Sequence, residues 1–348
     1  MRVIFGGARP TNRFGIDRNG HWHRSNPVKS ISLLVGALAL CMPYAMPATG
    51  QPLTSEATHR VYTLHWEVAA PVPPGSRRAV LWIALPQQRD EQRVSRLRVH
   101  TRWPWTTVED PDFHNRVVRV TLESPPENVS VSLRARVARD AVLAPKPARL
   151  TGAMRALYTR PESRVTISKR VRRIANGIAD SNRARYNYVL SHMTYDKSVP
   201  GWGFGDTERA CEVGRGNCTD YHSLFLSLSR ARGVPSVFEM GYTTRPEGET
   251  NRVGGYHCWA WFYNGAAWVP VDISEADQHP DRENFYFGHL DANRITFSRG
   301  RDIRLPGMAG PPLNYLGAGG YIEIDGKPGP DVTRTLTYTV RTVGNAPN

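Results

Sequence analysis

Gly214-Arg215-Gly216-Asn217-Cys218-Thr219-Asp220-Tyr221-His222 is where a helix start and a thiol coincide in this 348-residue chain. Glycine-rich chain leads into Asn217, whose short side chain suits the free amides at a helix start. Asp220 follows three positions later as a capping-box partner. Leu224, Phe225, Leu228 and Ala231 then recur at helical spacing, and Gly233 with Pro235 supplies the stop. Cys218 is therefore predicted as the first helical residue. There the unpaired N–H groups and the helix dipole favour an anion, which lowers a thiol's pKa. A lone cysteine is also readily a small buried hydrophobe, so position alone does not make it reactive.

A second segment adds partners. Tyr256-His257-Cys258-Trp259-Ala260-Trp261-Phe262-Tyr263 alternates and runs into Asn264-Gly265, a strong hairpin signal. Ala266-Ala267-Trp268-Val269-Pro270-Val271-Asp272 returns. A two-residue loop would pair Tyr263 with Ala266 and His257 with Asp272, their Cβ atoms about 5 Å apart on one face. A loop longer by two shifts the partner and keeps both residues on that face. Asp272 is thus expected to fix the tautomer of His257. Pro270 implies that the returning strand lies at an edge or carries a bulge. Cys258 is expected to point away from His257, outside the group. A thiol at a helix N-terminus with a histidine oriented by an aspartate is the set that acyl transfer through a thioester requires.

Residues from about 193 to 272 resemble the transglutaminase-like superfamily, within the papain-like group of cysteine folds. Gly-Asn-Cys-Thr-Asp at 216–220, Gly-Tyr-His-Cys-Trp-Ala at 255–260 and Trp-Val-Pro-Val-Asp at 268–272 carry the match, in Cys, His, Asp order. Gly201-Trp202-Gly203-Phe204-Gly205-Asp206 and the stretch from Phe285-Tyr286-Phe287-Gly288 to Arg301-Asp302 are more similar to exported bacterial members. By this resemblance Cys218 is the nucleophile, His257 the general base and then acid, and Asp272 its orienter. Trp202 would offer its indole N–H to the oxyanion, beside the backbone N–H of Cys218. The family holds proteases, amidases, crosslinkers and inactive relatives, so the alternative is a non-catalytic binding module that keeps the fold. His222, one turn after Cys218, either supports the site or is a buried hydrogen-bonded histidine. Cys211 and Cys258 are a candidate disulfide that would leave Cys218 free.

The fold class expected is α+β: a transglutaminase-like (papain-like) domain at 166–300 behind an N-terminal β-sandwich-like domain at 57–142. Val129, Val131, Leu133, Ala135 and Val137 fall on one strand face, with Ser130, Ser132, Arg134 and Arg136 as a solvated face opposite. Residues 143–165 read as a linker. Ile167, Val171, Ile174 and Ile178 then form a helical core stripe. In the tail, 301–348, residues 321–324, an Asp325-Gly326 turn and the alternating run 333–340 read as a terminal hairpin.

Residues 1–50 read as a signal peptide or N-terminal anchor. Six cations and one acid lead into an uncharged apolar run at 30–46, followed by small residues and a candidate cleavage site before Gln51. Bulky Leu40 beside Cys41 argues against lipidation. Export to the periplasm or beyond is expected, with no membrane span after signal removal. Net charge is +14, yet 40 of the 45 cations are arginines scattered along the chain, so no nucleic-acid stripe is expected. Mean hydropathy of −0.45 excludes a polytopic membrane protein. Cys218, His222 and His257 could chelate zinc but lack a fourth ligand, so neither metal nor cofactor is expected. The partner expected is a peptide or protein amide, including cell-wall peptide. Lys146, Lys169, Lys197 and Lys327 are the lysines beyond the signal, few acceptors for self-crosslinking.

Overall fold

The alternating residues 129–137 pair with the run that begins near Val61, and the rest of the chain is assembled on that pair. The computed structural model describes residues 58–244 and 250–342, together with the backbone of 14–16 and 22–24. It divides into two units, Met1–Pro52 and Leu53–Asn348. In the first, β1 (Phe14–Ile16) and β2 (Trp22–Arg24) pair antiparallel. The apolar run 30–46, Cys41 and the candidate cleavage site lie outside the described residues. No described helix is long and apolar enough to cross a membrane.

The second unit opens with β3 (His59–Pro71), β4 (Arg78–Ala84), β5 (Gln92–His100), β6 (Trp105–Glu109), β7 (Arg116–Glu123) and β8 (Asn128–Asp140). β3 and β8 pair antiparallel from His59–Asp140 to Pro71–Asn128. Tyr62, Leu64, Trp66 and Val68 of β3 and Val129, Val131, Leu133 and Val137 of β8 turn inward and are fully buried. They meet Leu81 and Ile83 of β4 and Val118, Val120 and Leu122 of β7 in one core. Each such side chain contributes about 1.5–3 kcal/mol by leaving water, enough to hold two sheets face to face.

The segment expected as a linker contains β9 (Lys146–Pro147) and α1 (Gly152–Thr159), the latter capped by Thr151. α2 (Lys169–Gly177) and α3 (Asn182–His192) start at Ser168 and Ser181, whose hydroxyls accept from the N–H groups of Val171 and Ala184. Then come β10 (Thr194–Tyr195), α4 (Thr207–Val213), β11 (Arg215–Gly216) and α5 (Cys218–Ala231). β12 (Ser236–Thr243), β13 (Asn251–Arg252), β14 (His257–Tyr263), β15 (Ala267–Val271), α6 (Ile273–Gln278) and β16 (Arg294–Arg299) follow. The tail holds β17 (Tyr321–Ile324), β18 (Lys327–Pro328) and β19 (Thr333–Thr342).

Three five-stranded sheets result, in the orders β16-β12-β14-β15-β9, β13-β19-β3-β8-β5 and β18-β17-β4-β7-β6. The tail does not close on itself as one hairpin. β17 turns through Asp325-Gly326 onto β18 and pairs with β4, whereas β19 pairs with β3. β17 and β19 therefore complete opposite sheets of the sandwich, because Ile322, Leu336 and Tyr338 each bury in the core shared with β3 and β4. The β16-β12-β14-β15-β9 sheet is covered on both sides. Trp259 and Trp261 of β14 join the sandwich core, while Cys258, Ala260 and Phe262 pack with Tyr221, Leu224 and Phe225 of α5.

Candidate active site

α5 begins at Cys218 because Asn217 is extended (φ −107°, ψ −170°) and its Oδ1 accepts from the Thr219 N–H at 2.9 Å. Asp220 Oδ2 accepts in return from the Asn217 N–H at 2.9 Å, so the capping box forms as the sequence predicts. Such a cap is worth about 1 kcal/mol. It leaves the Cys218 N–H unused. Asp220 has a second task that sequence reading missed: its carboxylate also accepts from Gly203 N–H at 2.7 Å and Gly205 N–H at 3.0 Å. The Gly-Trp-Gly-Phe-Gly loop is thereby tied round the helix start. Gly216 must be glycine, since a Cβ there would overlap the Asp220 carboxylate. Buried Arg301 grips the loop from the other side, donating to the carbonyls of Phe204 at 2.7 Å and Gly205 at 3.3 Å.

The hairpin after β14 is longer by two residues than Asn264-Gly265 alone implies. Asn264 Oδ1 accepts from the N–H groups of Ala266 at 3.0 Å and Ala267 at 2.8 Å, and Tyr263 pairs with Trp268. β15 ends at Val271, so Asp272 is not a rung opposite His257. It reaches the histidine as the N-cap of α6: Oδ1 accepts from Glu275 N–H at 3.2 Å, and Oδ2 lies 2.7 Å from His257 Nε2. Nδ1 is left to face the thiol. Pro270 pairs with Trp261 on one side; on the other, beyond the reach of β9, its carbonyl accepts from the Gly288 N–H at 2.8 Å beside the Val271–Phe287 bridge, so the strand is covered at the proline, which has no N–H to give in return.

Two more residues complete the centre. Arg294 Nη1 donates to Asp272 Oδ2 at 2.9 Å and its Nη2 to Asp291 at 3.0 Å. Nothing near it in sequence signals this; β16 delivers it through the sheet. His222 is fully buried, and its Nε2 accepts from the Ile273 N–H at 3.0 Å. Nδ1 therefore carries the proton and donates to the Cys218 carbonyl at 2.7 Å. Both ring nitrogens are used, so His222 has no lone pair for zinc. Among the described residues no group of three His, Cys, Asp or Glu is placed to hold a metal.

The charges follow from this wiring. Burial alone would push the Cys218 thiol up, but hydrogen bonds from Cys258 and His257 and the charge of His257 bring it down to about 5. Burial opposes the charge on His257 too, yet the charge and hydrogen bond of Asp272, with Cys218, raise it well above its ordinary value. Asp272 is held below the usual carboxylate range, against its burial, by His257 and then Arg294. Burial lowers His222 to about 4, so it stays neutral. The result is a thiolate beside an imidazolium, in an enclosed site where neither charge is screened by water.

Two expectations about the cysteines are corrected. Cys211, Cys218 and Cys258 are all free thiols. Cys211 lies on α4 near Tyr188 and Arg170, its thiol pushed up to about 11 by burial, whereas Cys258 lies against α5. Nor does Cys258 stand apart from the group: its thiol hydrogen-bonds with Cys218 and lies 3.4 Å from Thr219 Oγ1. Strand alternation does turn Cys258 away from Trp259 and Trp261, but that face is the one on which α5 rests. His257, at the first position of β14, reaches the same helix end. Trp202 is 38% exposed, Lys197 lies over its ring at 5.6 Å, and its indole N–H donates to nothing among the described residues.

Residues 165–273 match the family model of the transglutaminase-like superfamily. A Haemophilus influenzae protein named only as uncharacterized is 32% identical over 179 residues, 41% of this chain and 48% of that protein. The chain thus spans about half the length of this relative. A solved structure of a candidate cysteine protease from Cytophaga hutchinsonii aligns at a TM-score of 0.53 and 14% identity, over 84% of this chain and 94% of that one. At that identity the likeness is one of fold, and it extends beyond the matched core to the sandwich.

Proposed function

We propose that the transglutaminase-like domain of this chain is a cysteine acyl-transfer enzyme that opens amide bonds through a thioester on Cys218. The observation that carries this reading is the buried sequence of contacts from Cys218 to His257 to Asp272, with the thiol brought down to about 5. The Cys218 thiolate attacks the amide carbonyl carbon, and the oxygen takes up the negative charge. The Cys218 N–H, unused by the helix cap, and the Trp202 indole are the donors for that oxyanion. His257 gives its proton to the leaving amine as the C–N bond breaks. It then takes a proton from water, which attacks the thioester and releases the acid. An amine in place of water would give a crosslink.

Hydrolysis of a peptide or protein amide, with no cofactor, is the reaction favoured. Export through residues 1–50 would make cell-wall peptide a substrate within reach. Incubation with a mixed peptide library and hydroxylamine, read by mass spectrometry, tests this: hydroxamates and new carboxylates should form. Both should vanish with Cys218→Ala, and a variant as active as the parent would refute the thioester. One observation favours a non-catalytic module instead, since Cys218 is 1% exposed and a substrate must displace what lies over it. The same library separates the two, because a binding module retains peptides without changing their mass.

A further inference from the structure

The outer face of the β3–β8–β5 sheet carries a groove of about 490 Å³, remote in sequence from the thiol, whose lining includes Arg96, Arg98, Arg134, Arg136 and Arg341. His100, Thr63 and Thr339 complete its polar wall, and no acid lines it. No guanidinium of the five arginines forms an ion pair or hydrogen bond among the described residues, whereas buried arginines such as Arg294 and Arg230 are paired. Arg98 stands directly opposite Arg134 across the β5–β8 ladder. Like charges at such a rung destabilise a sheet, and here no carboxylate offsets them.

The backbone is also arranged for this. β5 shifts register between Ser95 and Arg98, and Arg96 in that bulge takes a left-handed φ of 53° that a non-glycine residue rarely adopts. A bulge re-aims side chains, and this one adds Arg96 to the groove. Sequence reading treats this arginine face as merely solvated. Solvation accounts for scattered cations, and it does not account for five unpaired ones converging on one concavity across a strained bulge.

We propose that this groove binds a flexible polymer of phosphate groups. Adjacent strands root these arginines about 5 Å apart at the backbone, and successive outward residues on one strand about 7 Å apart. Such an array suits closely repeated anions, and the guanidinium fork matches phosphate oxygens two at a time. No Phe, Tyr or Trp lines the groove and His100 is its one ring, so it lacks the run of stacking platforms that single-stranded nucleic acids use. Its concavity recesses the charges from a flat membrane.

The test uses the full chain and fluorescently labelled inorganic polyphosphate, with anisotropy read across a salt series. Binding should weaken linearly in log–log form as salt rises. Arg134→Gln with Arg136→Gln should lower affinity about tenfold or more and reduce the slope by about 1.4, or about 0.7 per charge removed. Arg172→Gln with Arg173→Gln, the same charge change on α2, should leave both unchanged. Equal losses in the two pairs would overturn the site in favour of net charge alone. Tighter binding to single-stranded DNA, polyglutamate or anionic vesicles would overturn the ligand class, and no binding of polyphosphate would overturn both. Thermal melts check that each pair folds; if the first does not, Arg98→Gln with Arg341→Gln asks the same question from β5 and β19.

Discussion

Arg294 lies 2.9 Å from Asp272, on the same carboxylate oxygen that His257 holds at 2.7 Å. Asp272 is fully buried and so is its arginine. The orienting carboxylate is therefore fixed from two sides before any substrate arrives, and it remains ionised where desolvation would otherwise neutralise it. Arg294 touches no reacting atom; it positions the residue that positions the base.

Removing that arginine should cost stability. Arg294→Met leaves Asp272 and Asp291 buried with one cation fewer, a loss of about 3–5 kcal/mol. Urea unfolding at pH 7 would show it, and an unmoved midpoint would sink the counter-ion role. Because the folded pKa of Asp272 is depressed, its contribution is present above the unfolded value of about 3.9 and is lost as pH falls below it. Acidification below about pH 4 should destabilise the parent protein.

Iodoacetamide labelling of Cys218, followed by peptide mass spectrometry, should rise with an inflection near pH 5 and not near the ordinary thiol value of about 8.5. His257→Ala should move the inflection up towards the ordinary range. Cys258→Ala should move it up as well, by about one unit, through loss of one hydrogen bond to the thiolate, equivalent to about 1.4 kcal/mol. An inflection indifferent to both substitutions would mean that neither partner acts on the thiol.

His222→Gln should alter the pH dependence of stability. The histidine is buried neutral with its pKa lowered to about 4, so the unfolded chain binds its proton first. Stability from this group is complete above about pH 6.5 and is lost as pH falls towards 4, by about 3 kcal/mol. Unfolding free energies of parent and variant should therefore converge across that window. Parallel curves would show that His222 does not titrate in this way.

Trp202→Phe keeps an aromatic ring and removes the indole N–H. If that N–H serves the oxyanion, kcat should fall about 10²–10³-fold with KM little changed. A role in packing alone would leave kcat near the parent value. Asp220→Ala should release the loop at Gly203 and Gly205 and expose residues 201–206 to limited proteolysis. A loop still resistant would place its anchorage on Arg301 instead.

Much of the site was legible because its rules are local. Asn217 and Asp220 cap a helix whose first residue is Cys218, and a cap needs four consecutive residues and no tertiary contact. The alternation of β14 and the turn at Asn264 brought His257 and Asp272 to one place, although Asn264 spans a longer turn than the dipeptide implies and Asp272 arrives as a helix cap. The error was in register, which a short turn leaves open by two residues; Asp272 still meets His257 because the chain leaves β15 there and caps α6 beside the histidine.

What the chain determined by itself, then, was which residues stand at helix starts and on strand faces, since those follow from steric and hydrogen-bonding preferences within a few residues. Which faces meet was decided by the tertiary structure. α5 lies on the face of β14 that carries Cys258, so a thiol read as turned away became a hydrogen-bond partner of Cys218. Arg294 reaches Asp272 from β16, and β17 and β19 close opposite sheets of the sandwich. Burial of apolar area drives each of these meetings, and that force has no direction along the sequence. It pairs surfaces by shape and area, and the polar groups they carry are brought together with them.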